Sequence, residues 1–577
     1  MTDHPGSRTN IELRPDPKLL NRNHNGYKLS LDPVPTYRTE LTPATRPDRV
    51  RPSDHRYSHL RLYGMQNHLV ADPWTPGQSY YVDRSGMVQR VYCDPSCGKP
   101  RPLVAVYKLR LTEPDAAAGR YNCSLAFPSD RLCLVCDGAG TLHVLDTGER
   151  AGGREWKAQT VLADGAVAGV LLDARFVVQT GERALHLVTL QLSRCDDERE
   201  EAQTRGGQAL HWSTLVQEHP GGRWTLAVTR TLEGKGYPLY CALDYHATGL
   251  LVASDHPFRF VHDSLQPVVV PEPADASPEA PTAACYPWEE YPFTWTQTEE
   301  EVCVTFPARP DVQYRVCDEA TVRVYANEVQ VVDGTALYAA IDTTGAVWTR
   351  DNKGLAVTLP KSVPGSLWPF LFPGGPDESG TPAPPGTDRP SDPAPNLDVP
   401  LEDCDLGPDD TYYTLERIGR DHTVTHAVWL GRVAPLFGVR LRPDQPAAVV
   451  LRYDVDACVW QLQPAPDACH LRHEGTLHTF GYVQAAKQQQ KFLDCAPDLS
   501  YGVICESQRS VFLYRGCYGA GGAGLRHRSG TPVAVGQLQY VTLDEAGEIL
   551  GVCCADRTMM LLTERAIVAV QVSPDEE

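Results

Sequence analysis

The chain has 577 residues, 42% of them hydrophobic and 22% charged, the ordinary balance of a folded protein. Such a length exceeds one hydrophobic core, so two or three structural units are expected, and disordered, collagen-like and coiled-coil chains are excluded. A formal charge of −20, from 53 basic and 73 acidic residues, argues against direct nucleic-acid binding, which leaves a basic footprint.

The opening residues, MTDHPGSRTN, lack the apolar stretch of a signal peptide. Membrane insertion is not expected, because no run of 18 apolar residues occurs and the longest candidate, Ala166 to Leu172, is strand-sized. The 18 cysteines are therefore expected as reduced thiols of a cytosolic or nuclear compartment.

In chain order, residues 1–49 form an N-terminal extension. From 50 to 265, short apolar runs alternate with turn residues and helical periodicity is nearly absent. A loose unit recurs: an apolar stretch reaches an Asp, three to five residues pass, and a second apolar stretch follows. Asp83, Asp130, Asp173 and Asp244 mark it here. Residues 266–287 are a proline-rich linker, 288–372 a compact segment, and 373–400 a second, acidic proline-rich linker. From 401 to 577 the unit returns at Asp444, Asp498 and Asp544.

Successive anchors lie 47 residues apart from Asp83 to Asp130, 43 to Asp173, 54 from Asp444 to Asp498, and 46 to Asp544. One four-stranded propeller blade spans about 40–50 residues. Seven anchors therefore predict an all-β protein: one β-propeller of about seven blades, made from both flanks and interrupted by the inserted segment. Two separate β-sandwiches would show a similar pattern. No Trp-Asp dipeptide occurs, so the blades would be degenerate relatives of WD repeats.

Within 288–372, Val302, Val304 and Phe306 alternate with polar partners, as do Val322 and Val324, Val329 and Val331, and Leu355, Val357 and Leu359. This predicts about seven short strands in a small antiparallel sandwich. The segment resembles the CS domain of the NudC family. The residues carrying the match are Trp295, Gln297 and Thr298 at its start, then Gly334, Leu337, Tyr338, Trp348 and the trailing Trp368. They form a structural signature with a partner face among them, and Trp348 is expected between the two sheets. The flanks resemble the family as well, at Gly26 to Tyr37, Leu451 to Gln461 and Phe480 to Glu506, so the likeness covers most of the chain.

What the resemblance implies is a non-enzymatic, cochaperone-like adaptor of cytoplasm and nucleus. Its partners would be proteins, namely the heat-shock chaperone system and folding clients. A scaffold in a stable assembly, or a propeller hydrolase or small-molecule binder, is the alternative.

No residue pattern calls for a cofactor, metal or catalytic group. GAGGAG at 519–524 has the dinucleotide spacing, but Gly530 and Pro532 and then a strand follow where a helix must stand to bind pyrophosphate. Cys133 and Cys136 have no second pair to complete a zinc site, and they and Cys553-Cys554 fit strand interiors. His470, His473 and His478 are expected on the surface, and His55 and His59 lack an apolar register for a helix.

Overall fold

The computed structural model describes residues 8–268, 293–371 and 411–572, less interior stretches of which 110–119, 193–206 and 517–525 are the longest. Backbone contacts divide the chain into two compact units, Met1–Val270 with Glu402–Glu577, and Pro271–Leu401. The linkers fall almost wholly outside the described residues.

Short runs of β-branched, aromatic and leucine residues between Asp- and Gly-bearing turns close into antiparallel ladders. In the larger unit they make seven sheets of four or five strands among the described residues. Blade 1 runs from Val70–Ala71 to Val104–Lys108 and blade 2 from Ser124–Ala126 to Lys157–Leu162. Blade 3 runs from Val170–Gln179 to Thr225–Gly234, and Arg259–Asp263 returns to its outer edge as a fifth strand. Blade 5 extends from Phe437–Val439 to Leu471–Leu477, blade 6 from Gln490–Cys495 to Ala534–Thr542, and blade 7 from Ile549–Cys554 to Ala566–Gln571.

Blade 4 is where the circuit is cut. Its strands Tyr240–Leu243 and Gly249–Ser254 precede the insertion, and Tyr413–Gly419 and Val424–Gly431 follow it. The ladder from Gly249↔Gly419 to Ser254↔Thr414 joins the two halves. The N-terminal residues do more than extend the chain. Thr36–Glu40 pairs antiparallel with Ala566–Gln571 and is the fourth strand of blade 7, while Thr9–Ile11 and His24–Leu29 add in parallel to the outer strands of blades 4 and 6. Sharing blades between distant segments leaves a ring with only short edges.

The core is a series of layers between neighbouring sheets. Val503, Val511 and Leu513 of blade 6 pack against Val552, Leu561 and Val568 of blade 7. Hydrogen bonds between inner strands reinforce the layers: Asp173 Oδ2 accepts from Leu243 N at 2.9 Å, and Asp494 Oδ2 accepts from Cys554 N at 3.1 Å.

The smaller unit is a two-sheet sandwich. One sheet orders Thr294–Gln297, Glu301–Pro307, Gly354–Pro360 and Val347–Asp351; the other holds Tyr314–Cys317, Arg323–Ala326 and Val329–Asp333. Trp295, Val304, Phe306, Val324, Val357 and Trp368 fill the space between.

Candidate protein-binding site

The start and end of the sandwich are tied by one side chain. Gln297 Oε1 accepts from Trp368 N at 2.6 Å and from Lys361 Nζ at 2.8 Å, and its Nε2 donates to Trp368 O at 2.6 Å. Lys361 is 4% exposed; its ammonium also donates to Thr298 O at 2.8 Å and lies 5.6 Å from the Trp368 ring centre. A buried cation is tolerable only with such acceptors and a ring face about it. Thr298 Oγ1 accepts from Glu300 N at 3.2 Å and Glu301 N at 3.1 Å, closing the first turn. Trp295, Gln297, Thr298 and Trp368, with Leu337 in the core, are thus scaffold residues. Lys361 was not legible beforehand, since a lysine after an alternating strand ordinarily points to water. Gly334 and Tyr338 lie outside the described residues.

Trp348 departs from expectation. It is 49% exposed, not buried between the sheets. Its register partner is Val357, whose side chain enters the core, so Trp348 stands on the correct face. Its strand, however, is the last of the sheet and is paired on one side only among the described residues. No strand among the described residues lies over the indole. Val347, on the opposite face, is 60% exposed, and Thr349 and Arg350 are exposed too. An edge unpaired among the described residues, flanked by an indole and a valine, is the geometry by which sheets accept a further strand.

The propeller presents a second surface. Its inner strands enclose a channel of about 900 Å3, lined in part by His68, Asp72, Asp494, Asp498 and Asp556. Two of these carboxylates are committed to the ring. Asp72 is buried against Arg150, Nε to Oδ2 at 2.7 Å and Nη2 to Oδ1 at 3.1 Å. Burial pushes the Asp494 carboxyl up to about 6, although Cys495 N and Cys554 N donate to it. Burial, aided by the nearby Lys491 and Arg49 cations, pushes His68 down to about 3 and keeps it neutral.

Cys133 and Cys136 lie inside the strand Leu132–Cys136, and Cys553 and Cys554 inside Ile549–Cys554; burial pushes all four thiols up, away from the reactive thiolate. Among the described residues, no three metal-capable side chains gather. GAGGAG and His55 lie outside the described residues. His59 sits on a helix, Tyr57–Gly64, whose register is set by buried Leu62 and Tyr63, downstream of the residues that argued against one. His470 is exposed, but His473 is buried beneath the N-terminal segment, contrary to the surface placement expected of it.

The alternation, the two-sheet topology and the Trp-x-Gln-Thr knot coincide with a match of residues 291–361 to the CS domain family. The inserted sandwich is of the CS type. Around it, the whole chain is similar to NudC domain-containing protein 1. The mouse protein is 27% identical over 98% of this chain and 99% of its own, and that of Xenopus tropicalis is 28% identical over the same shares. Among solved structures, the β-propeller domain of Cps50 (Swd1) from Myceliophteria thermophila covers 88% of this chain and 96% of its own, at 7% identity and a TM-score of 0.32. The CS domain is a protein-interaction module, which supports proteins in general as partners.

Proposed function

We propose that this chain is a non-catalytic adaptor of cochaperone type, working in cytoplasm and nucleus. In this reading it holds folding clients and the heat-shock chaperone system through its CS domain and the loop faces of its propeller. The observation that carries it is the uncovered edge Val347–Asp351, with Val347 and Trp348 60% and 49% exposed. An apolar edge left open on a small sandwich is unfavourable in water unless another chain covers it. The commitment of Asp72 and Asp494 to blade contacts supports a ring built for shape rather than turnover.

The test is affinity capture from cells with the full chain, a chain lacking 286–372, and Val347→Glu/Trp348→Glu. Both changes lie on exposed positions, so the variant should fold. Capture of chaperones and clients by the intact chain, and their loss in both altered forms, is the expected result. An unchanged partner set in the deletion would overturn a mechanism centred on the CS domain. A permanent scaffold would instead give partners that do not exchange in a pulse-label experiment.

A further inference from the structure

Residues 8–41 form a belt along the outer edges of blades 4 to 7. Arg8 pairs with Glu416 of blade 4 at 3.2 Å, and Thr9–Ile11 lies on His426 to Val428. Asp16 N then donates to His473 Nδ1 of blade 5 at 3.0 Å. His24–Leu29 lies on blade 6, and Thr36–Glu40 completes blade 7. Blades 4 and 6 each have four strands without the belt, so its first two strands are additions to finished sheets. The third is not, because without it blade 7 keeps three strands.

Two imidazoles fasten the removable part, and both act as acceptors. His473 is 6% exposed, with its ring 5.3 Å from that of Trp460; Nδ1 takes the Asp16 N–H, and Nε2 meets Thr476 Oγ1 at 2.9 Å. A nitrogen that accepts a main-chain N–H carries no proton of its own, so this contact requires neutral histidine. His24, on the belt itself, accepts from Gly26 N at 3.4 Å through Nδ1, which also meets Thr479 Oγ1 at 2.8 Å. Its buried Nε2 has no hydrogen-bond partner among the described residues.

The groups facing His24 are Tyr27, with ring centres 5.2 Å apart, His478 at 5.5 Å, and Asp456 behind His478. Those facing His473 are Asp16, Asp456 and Glu474, the last bonded to Arg472 at 2.7 Å. A backbone hydrogen bond to Gly475 and the acids favour a proton on His473, and Asp456 favours one on His24, but burial outweighs them: it holds His473 below the usual histidine range and, with the His478 ring, His24 at about 4.

We propose that residues 9–29 are a proton-released belt, in which charging His473 breaks its bond to Asp16 and charging His24 sets a cation in a half-buried site, so that the added strands come away from the outer edges of blades 4 and 6. The sign is fixed by linkage. A histidine depressed in the closed form stabilises closure fully above the free imidazole value of 6.5, and that stabilisation is lost as pH falls towards about 4.

Hydrogen exchange on the full chain tests this, with rates corrected for intrinsic exchange. Between pH 7.5 and 5.0, protection of residues 9–11 and 24–29 should fall about ten-fold, a figure lowered for the partial exposure of His24. Residues 36–40 and the inner strands should hold. His24→Gln/His473→Gln keeps a carbonyl acceptor and removes the titration, so its belt protection should not change with pH. Equal wild-type protection at the two pH values overturns the proposal, as does an equal loss in the double variant. The wild-type series decides by itself should the variant fold poorly.

Discussion

Removing the carboxylate of Asp72 should destabilise the propeller by about 3–5 kcal/mol, because it strands a buried charge. Arg150 and Asp72 have no exposed side-chain surface, and the guanidinium lies 4.9 Å from the Phe127 ring centre and 5.5 Å from that of Trp74. In Asp72→Ala, Nη1 keeps Ser129 O at 3.2 Å and Thr147 Oγ1 at 3.1 Å, and Nη2 keeps Ser129 O. Nε loses the carboxylate at 2.7 Å, and an orphaned buried donor costs about 1–3 kcal/mol. The uncompensated cation supplies the rest. Arg150→Met in the same chain removes that cation while filling the space between the two rings, so the double variant should be more stable than Asp72→Ala alone. The assay is a double-mutant cycle of urea unfolding, followed by circular dichroism of the propeller transition. A loss under about 1 kcal/mol for Asp72→Ala, or a double variant that costs the sum of the singles, would refute the reasoning. It would also release a channel carboxylate from its structural duty and weaken the non-catalytic reading.

Asp494→Asn keeps an oxygen for Cys554 N, gives up the one that accepts from Cys495 N, and removes a charge that burial disfavours, so the variant should be the more stable at pH 7.5 by less than about 3 kcal/mol, the lost Cys495 contact being subtracted from the gain. Since the folded wild type binds this proton more tightly than the unfolded chain, it gains stability as pH falls from above about 6 to below 3.8; urea midpoints across that range should converge, and a constant difference would count against it. In the CS domain, Trp295→Ala should cost about 3–5 kcal/mol and Trp348→Ala no more than about 1 kcal/mol, since the first indole is 1% exposed and the second 49%. Thermal unfolding of the two variants compares them, and equal losses would mean that the edge is covered after all.

The recurring Asp pattern was legible for one reason and deceptive for another. Asp83, Asp244 and Asp498 do close turns, accepting from Ser85 N at 2.9 Å, Thr248 N at 2.8 Å and Ser500 N at 3.0 Å. Yet the anchors are not equivalent positions. Asp83 follows the second strand of blade 1, Asp244 the first of blade 4, Asp173 sits inside a strand, and Asp544 joins blades 6 and 7. Seven blades emerged because strand length and turn chemistry set a spacing, whichever turn bears the acid. Arg150 gave no such signal, and its pairing with Asp72 exists only because two blades meet.

Alternation of apolar and polar residues is a local property, so the amino-acid order alone determined that both units would be β-structured and that a sandwich would interrupt the longer one. The indole at Trp348 shows the boundary of that information. A period of two assigns a side chain to a face, and it assigned this one properly, but whether anything lies over that face depends on strand order. Strand order likewise decided that blade 4 is assembled from residues on both sides of the insertion and that residues 9–40 bind blades encoded hundreds of positions later. Ladders join backbone groups, which every residue carries in the same form, so partners far apart in the chain leave little mark on the side chains and are chosen by closure of the ring itself.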